Sequence, residues 1–549
     1  MTTAIAASVG IVGAGPVGLT LALDLAWRGV DVVLAEQRYA GEPPSVKCNH
    51  ISSRSMEIFR RLGLAHDLRA AGLPDDYPND VVFRTRATGY ELTRIPIPAR
   101  RDRFRRSGGP DTGWSTPEPP HRVNQIFFEP VLFGHAARSP RITLLSRTRI
   151  EGLEQSDAGV VALARDLERG VERRIECRYL IGCDGGRSLV RRAIGARLEG
   201  DEVIQRVQSS YIRAPDLLRR ITPPAAWMSY IYNPERAGNL VAIDGRESWL
   251  IHNYLLPGEE DFEAVDRDAC IRLLLGVGGD LRYEVLRTED WIGRRLIANR
   301  FRDRRVFLCG DSAHLWVPYA GYGMNAGIAD AANLAWLLAA HLRGWAPADI
   351  LDAYERERLP ITEQVSRFAM RHAEGAIRER THLPPELEEN SAAGAAARAE
   401  VGRAAYQLHV QQFACAGLNY GYYYEHSPLI AYDGEPQPPY TMSDYVPSSV
   451  PGCRTPHLWL ADGRSLYDAL GAGYTLLRFD ATRDPSALLN AAGERGVPLG
   501  LLDAHPAEPL AAYRHAFVLS RPDQHVAWRG DRIPEDPGAL IERVRGALH

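Results

Sequence analysis

"ASVGIVGAGPVGLTLALDLAWRGVDVVLAE", residues 7–36, reads as a strand, a tight turn, a helix and a second strand. Apolar runs bounded by glycine are the pattern of parallel strands buried on both faces. The turn carries G-x-G-x-x-G at Gly13, Gly15 and Gly18, and Glu36 ends the second strand. Gly13 permits the tight turn, Gly15 lets the backbone approach a pyrophosphate, and Gly18 lets helix and strand pack closely. A helix N-terminus then faces the phosphates with unpaired N–H groups, and an acid in the position of Glu36 accepts hydrogen bonds from a ribose diol. Glycine-rich turns are common in structural roles, but in this strand-turn-helix-strand setting an adenine dinucleotide is the stronger reading. The fold class that follows is α/β, built on a Rossmann-like domain.

The rest of the chain is organised around that unit. At 549 residues it is too long for one ordinary core. Residues 51–73 read as helical. Residues 80–125 are rich in Arg, Pro and Gly with short strand-like pieces. Residues 203–295 alternate polar and apolar with many aromatics, the pattern of an antiparallel sheet. Two more strands run into glycine turns, "YLIGCDGGRSLVRRAIG" and "RRVFLCGDSAHLWVPYAGYGMNAG". In the first, Asp184 and Ser188 also fit a plain helix-capping role. In the second, Asp311 ends a strand within reach of a ribityl hydroxyl. Gly321 and Gly323 leave room for a flat ring, and a helix beginning near Met324 points its positive end there. Ile328, Ala331, Ala335 and Leu338 supply that helix's apolar stripe. Helices continue to about residue 412, and a Pro- and Tyr-rich connector leads to a small α/β unit.

These three motifs in this order resemble the single-component FAD-dependent aromatic hydroxylases, and within them the phenol hydroxylase and 2,4-dichlorophenol 6-monooxygenase branch. The similarity runs over nearly the whole chain, including "PGCRTPHLWLADGRSLYDALG" at the entry to the last unit. The resemblance implies a discontinuous FAD-binding domain (1–79, 121–200, 296–375) and an interleaved β-sheet substrate domain (80–120, 201–295). A helical segment and connector (376–450) and a thioredoxin-like C-terminal domain (451–549) would follow. It implies non-covalent FAD held by Gly13, Gly15, Gly18 and Glu36, by Arg54 in "SSRSMEIFR" and Gln125 in "RVNQIFFEP", and by Asp184 and Gly185. Asp311 falls on the ribityl-binding position, and Pro318, Gly321, Gly323, Met324 and Asn325 on the flavin-ring segment. It further implies NADPH or NADH as transient reductant, and O2 delivered as one oxygen atom through a C4a-hydroperoxyflavin to a phenolic or polyketide-type aromatic. A homodimer is expected. Two departures stand out. Ala320 replaces a glycine and Tyr322 occupies a variable site, and the C-terminal unit has no C-x-x-C for dithiol exchange.

A phenol must become more nucleophilic, so a hydrogen-bonding base is expected near its hydroxyl. Candidates are His50 in "KCNHISSR", Tyr230 and Tyr232 in "SYIYNP", and His252 and Tyr254 in "WLIHNY", where alternation puts each pair on one strand face. All five also fit as half-buried sheet residues with satisfied hydrogen bonds. His314 reads as a loop-fixing residue, and the tyrosines of "LNYGYYYEHSP" as packing between domains.

Composition excludes several other classes. The net charge is -4, with no acidic tail or polyanion-binding surface, so no nucleic-acid partner is expected. The seven cysteines are scattered without metal spacing, which excludes a structural zinc and fits a reducing, cytoplasmic setting. No uncharged run reaches bilayer-spanning length. Lys47 is the only lysine, and no Trp-x-Trp-x-Ile-Pro signature is present, so a flavin halogenase is disfavoured. Two alternatives stay open: Baeyer-Villiger or epoxidising chemistry on a polyketide-like substrate, and a non-catalytic FAD-binding protein.

Overall fold

The structure is a computed structural model that describes residues 4–317 and 321–547. Its centre is a sheet of five parallel strands in the spatial order Val306–Leu308, Glu172–Gly182, Ala4–Val12, Val32–Ala35, Ile142–Leu145. Val9, Ile11, Leu34, Ile181 and Phe307 are buried, as apolar strands covered on both faces require. The hairpin Thr148–Gln155 and Val160–Asp166 adds antiparallel strands to the edge of Glu172–Gly182.

Two helices pack together against this sheet, Pro16–Trp27 and Tyr322–Leu342. Glycines set how close they come. A Cβ on Gly18 would lie 2.0 Å from the Gly13 carbonyl oxygen, and one on Gly327 would lie 2.7 Å from Val17. The long helix starts at Tyr322 and is buried around nearly its whole circumference, not along one stripe. Its second side is covered by the helix Ala353–Thr381 and the C-terminal domain, where Trp336 stacks on Trp345 and meets Tyr474 edge-on. A helix apolar all round is what such two-sided burial demands.

The second sheet runs His314–Leu315, Glu284–Ala298, Leu198–Arg213, Ser248–Tyr254, Gly238–Ala242, Met228–Ile231, Val81–Arg84, Glu91–Ile95. It is antiparallel except where Val81–Arg84 pairs in parallel with Met228–Ile231. That junction brings part of the Arg/Pro/Gly-rich stretch into the sheet, a long-range pairing with no local signal. Along Ser248–Tyr254 the residues alternate: Trp249 and Ile251 enter the core, while Leu250, His252 and Tyr254 face a cavity. The helix Ala392–Phe413 closes over Glu91–Ile95, so near that a Cβ on Gly402 would meet the Leu92 carbonyl at 2.1 Å.

After a connector with little regular structure, the C-terminal unit forms a four-stranded sheet ordered Leu499–Asp503, Tyr474–Arg478, Phe517–Ser520, Val526–Gly530. The first two strands are parallel, and Phe517–Ser520 is antiparallel to both of its neighbours. Among the described residues no helix is long and apolar enough to cross a membrane.

Candidate active site

Both glycine-capped helices open onto one cavity of about 510 Å3 between the two large sheets. The helix Pro16–Trp27 has Gly15 as N-cap and Tyr322–Leu342 has Gly321, and neither has a side-chain cap. The first-turn N–H groups of both helices are thus left for a ligand, with the positive dipole ends converging. A Cβ on Gly13 would strike the Cys183 carbonyl at 2.4 Å, and its φ of +101° is a glycine conformation. By contrast, among the described residues and apart from its own chain neighbours and helix backbone, a Cβ added to Gly15 or Gly323 would meet nothing within 4 Å. These two glycines keep space open, and both line the cavity. A pyrophosphate-and-ring cofactor fits this cradle: backbone N–H groups for the anion, glycine-cleared surface for a flat ring.

Gln125, Gly185, Asp311, Gly321 and Met324 line the same cavity. Asp311 is exposed to it yet sits deep in the protein, and this low-dielectric setting pushes its carboxyl above the usual range, opposed by His314 and Lys47. Glu36 lies beside the first turn. It accepts from the Ala14 N–H at 2.8 Å and the Arg38 N–H at 2.9 Å. Burial raises its pKa, but these bonds and the Arg38 charge outweigh that and hold the carboxyl below its ordinary value. Oε1 retains a lone pair for a ribose hydroxyl.

Four expected contacts are placed elsewhere. The Arg54 guanidinium points away from the cavity to Glu57 at 2.9 Å and to the Asp523 carbonyl at 2.6 Å, and also bonds Gln524. It clamps the C-terminal domain. Asp184 caps a helix, accepting from Ser188 Oγ at 2.5 Å and the Leu189 N–H at 2.7 Å, while Cys183 and Gly185 on either side of it reach the cavity wall. The Asn325 side chain ties the segment 50–55 to the helix start, accepting from the Ser52 N–H at 2.8 Å and donating to the Gly321 carbonyl at 2.6 Å. Tyr232 bonds Glu379 at 2.8 Å and His409 at 2.9 Å, away from the cavity. Pro318 and Ala320 lie outside the described residues. His314 holds Asp330 at 2.7 Å, fixing the loop as expected, and Tyr420, Tyr422 and Tyr424 are packed between domains.

Of the candidate substrate groups, His50, Tyr230, His252 and Tyr254 line the cavity. His50 pairs with Arg122 across the two short strands His50–Ile51 and His121–Arg122, and receives a hydrogen bond from its guanidinium. Burial and the Arg122 charge hold the ring far below the ordinary histidine pKa, so His50 is a poor proton acceptor. Its ring also fills the space beside Gly321, where a Cβ would approach to 3.3 Å. Tyr230 stacks on Phe83 at 5.0 Å and 10°. Nothing in the sequence singles out Trp227, Trp291 and Ser209 of the sheet side, or Gln412 and Phe413 at the end of the helix Ala392–Phe413, all of which line the cavity. Trp227 lies two residues before the "SYIYNP" stretch, but nothing local shows which strand face turns inward. Arg122 lies over the Trp227 ring at 5.1 Å and the Phe413 ring at 5.9 Å. The Cys48 thiol is pushed up to about 12 by burial, so this cavity-lining cysteine is neutral.

A dinucleotide cradle facing an aromatic-walled sheet defines a flavin-dependent monooxygenase. The family model described as FAD binding domain matches residues 6–369, and that described as aromatic-ring hydroxylase, C-terminal, matches residues 448–548. The chain belongs to the FAD-dependent aromatic-ring hydroxylase family. Among its relatives, tetracenomycin A2 monooxygenase-dioxygenase of Streptomyces glaucescens is 30% identical over 581 residues, covering 97% of this chain and 96% of that protein. The 2,4-dichlorophenol 6-monooxygenase of Delftia acidovorans is 27% identical over 597 residues, covering 100% and 98%. That relative lies in the branch the motifs resemble. The solved structure of the rebeccamycin biosynthetic enzyme RebC with reduced flavin superimposes with a TM-score of 0.89 at 35% identity, covering 100% of both chains.

Proposed function

We propose that the chain uses NADPH or NADH and O2 to hydroxylate a flat, multi-ring phenolic substrate of polyketide type. The observation that carries this reading is the shared cavity, lined both by two helix N-termini without side-chain caps and by Trp227, Tyr230, Trp291 and Phe413. FAD, when bound, supplies hydride acceptance and oxygen activation. The chain's own groups do the rest. The N–H groups after Gly15 would hold the pyrophosphate, Glu36 the ribose and Asp311 the ribityl chain. The first-turn N–H groups of the helix starting at Tyr322 would stabilise negative charge on a flavin ring held there. The aromatic wall orients a ring plane and excludes water. We read the C-terminal unit as thioredoxin-like, supported by a four-stranded sheet whose third strand in sequence is antiparallel to its neighbours.

The test is to purify the holoenzyme and follow NADPH and NADH oxidation with a panel of naphthols, anthrones and hydroxyanthraquinones, measuring peroxide alongside and tracing 18O2 into product. Substrate-stimulated oxidation that places one labelled oxygen as a ring hydroxyl supports the proposal. A ring-expanded ester or an epoxide would move the chain to the alternative chemistry, and no stimulation by any aromatic would refute the assignment.

A further inference from the structure

On the cavity face of the second sheet, three side chains are joined in one direction. The Trp291 indole N–H donates to Ser209 Oγ at 2.7 Å, and Ser209 Oγ lies 2.6 Å from His252 Nδ1. An indole nitrogen only donates. Ser209 Oγ accepts from Trp291, and among the described residues His252 Nδ1 is the remaining partner of its hydroxyl, so donation to Nδ1 is the arrangement that keeps the buried hydroxyl proton paired. The one proton of a neutral imidazole then sits on Nε2. The sheet register holds the relay: Ser209 is directly opposite His252, and Val207, two residues earlier on the same strand, is opposite Trp291. Trp291 also meets the His252 ring edge-on at 5.9 Å, fixing its orientation. Ser209 is buried, whereas His252 remains partly exposed and lines the cavity.

We propose that His252 is a fixed hydrogen-bond donor that reads the phenolic oxygen of the substrate and favours its ionised form, and is not a general base. The inference rests on the phenol hydroxylation proposed above. A donor to a phenolate makes a charge-assisted bond that the neutral phenol matches poorly. The bound phenol is acidified, its proton leaves to solvent, and its ring gains electron density without any protein group having to take the proton. Burial draws the His252 pKa down to about 4, and Glu289, across the next strand and itself paired with Lys47, pulls weakly the other way. The ring is neutral at working pH, which is the state in which Nδ1 can accept from Ser209 while Nε2 donates.

The experiment uses the FAD-loaded enzyme and 4-nitro-1-naphthol, whose anion is coloured, titrated with pH while bound. In the wild type the bound probe is expected to ionise at about tenfold lower hydroxide concentration than the free probe. His252→Phe should abolish that preference. His252→Gln, whose amide keeps a donor, should retain most of it, and Ser209→Ala, which frees Nδ1 to take the proton, should weaken it. If the probe binds but is equally acidified in His252→Phe, the inference falls while the hydroxylase reading stands. If neither the probe nor any phenol of the panel perturbs the flavin spectrum of the wild type, the hydroxylase reading fails and takes this inference with it.

Discussion

Arg521 of the C-terminal domain grips Glu357 of the helix Ala353–Thr381 with both terminal guanidinium nitrogens, at 2.7 and 2.8 Å, and neither side chain is exposed. Glu357 also accepts from Asn333 at 2.7 Å on the helix Tyr322–Leu342. The neighbouring Arg358 holds Asp330 at 2.8 Å, and Asp330 accepts from the Gly310 N–H at 3.3 Å. The C-terminal domain is therefore bonded, side chain by side chain, to the helix and loop that form the ring end of the cofactor cradle. Removing one partner of a buried pair strands a charge and costs about 3–5 kcal/mol. Arg521→Met should lower the unfolding free energy by that order, seen as a lower denaturation midpoint, and weaken FAD retention on gel filtration. Full FAD occupancy at an unchanged midpoint would show that the contact is idle.

Gly15 and Gly18 should separate cofactor binding from folding. A methyl at Gly18 would sit 2.0 Å from the Gly13 carbonyl, so Gly18→Ala must push the helix off the strand, an overpacking cost of about 1–3 kcal/mol. A methyl at Gly15 meets nothing within 4 Å among the described residues beyond its own chain neighbours. Gly15→Ala should leave the apoprotein midpoint unchanged while raising the Kd for FAD at least tenfold. Equal FAD affinity in Gly15→Ala and wild type would mean the cradle does not hold the pyrophosphate.

Tyr232 should be dispensable for turnover. Its hydroxyl serves Glu379 and His409 in a buried cluster behind the cavity wall. Tyr232→Phe leaves polar partners unsatisfied and should cost about 1–3 kcal/mol of stability with kcat unchanged. A tenfold drop in kcat with normal stability would restore it as a substrate residue.

The contrast between these positions shows what sequence can and cannot carry. Gly13, Gly15 and Gly18 were legible because their job is local: the backbone of a turn and the first helical turn. Arg54, Asp184 and Asn325 sit in the right segments, yet their side chains turn elsewhere. Arg54 finds its partners 469 and 470 residues away and Asn325 finds Ser52 at a separation of 273, while Asp184 prefers the cap of its own helix. Alternation correctly paired His252 with Tyr254 on one face. It could not say that the strand opposite would set Ser209 against His252, because register is fixed by sheet partners and not by the strand itself.

The buried histidines predict an early loss of stability in acid. Burial lowers the pKa of His50 well below its ordinary value, of His121 and His372 to about 3, and of His252 to about 4. Each is neutral in the fold, whereas in the unfolded chain it titrates near 6.5. Below pH 6.5 the unfolded state binds more protons than the folded one, so stability falls as pH falls, by up to about 1.4 kcal/mol per pH unit for each such group. The loss should begin near pH 6.5, ahead of the carboxylates, and continue toward pH 4. Over pH 5–8 the same neutrality makes kcat/KM free of any limb near 6.5 when the substrate itself does not ionise in that range. Urea midpoints and initial rates measured across this window check both halves. A stability profile flat from pH 7 to 5, or an activity limb at 6.5 that His50→Ala or His252→Phe removes, would contradict the neutral state assigned to these rings.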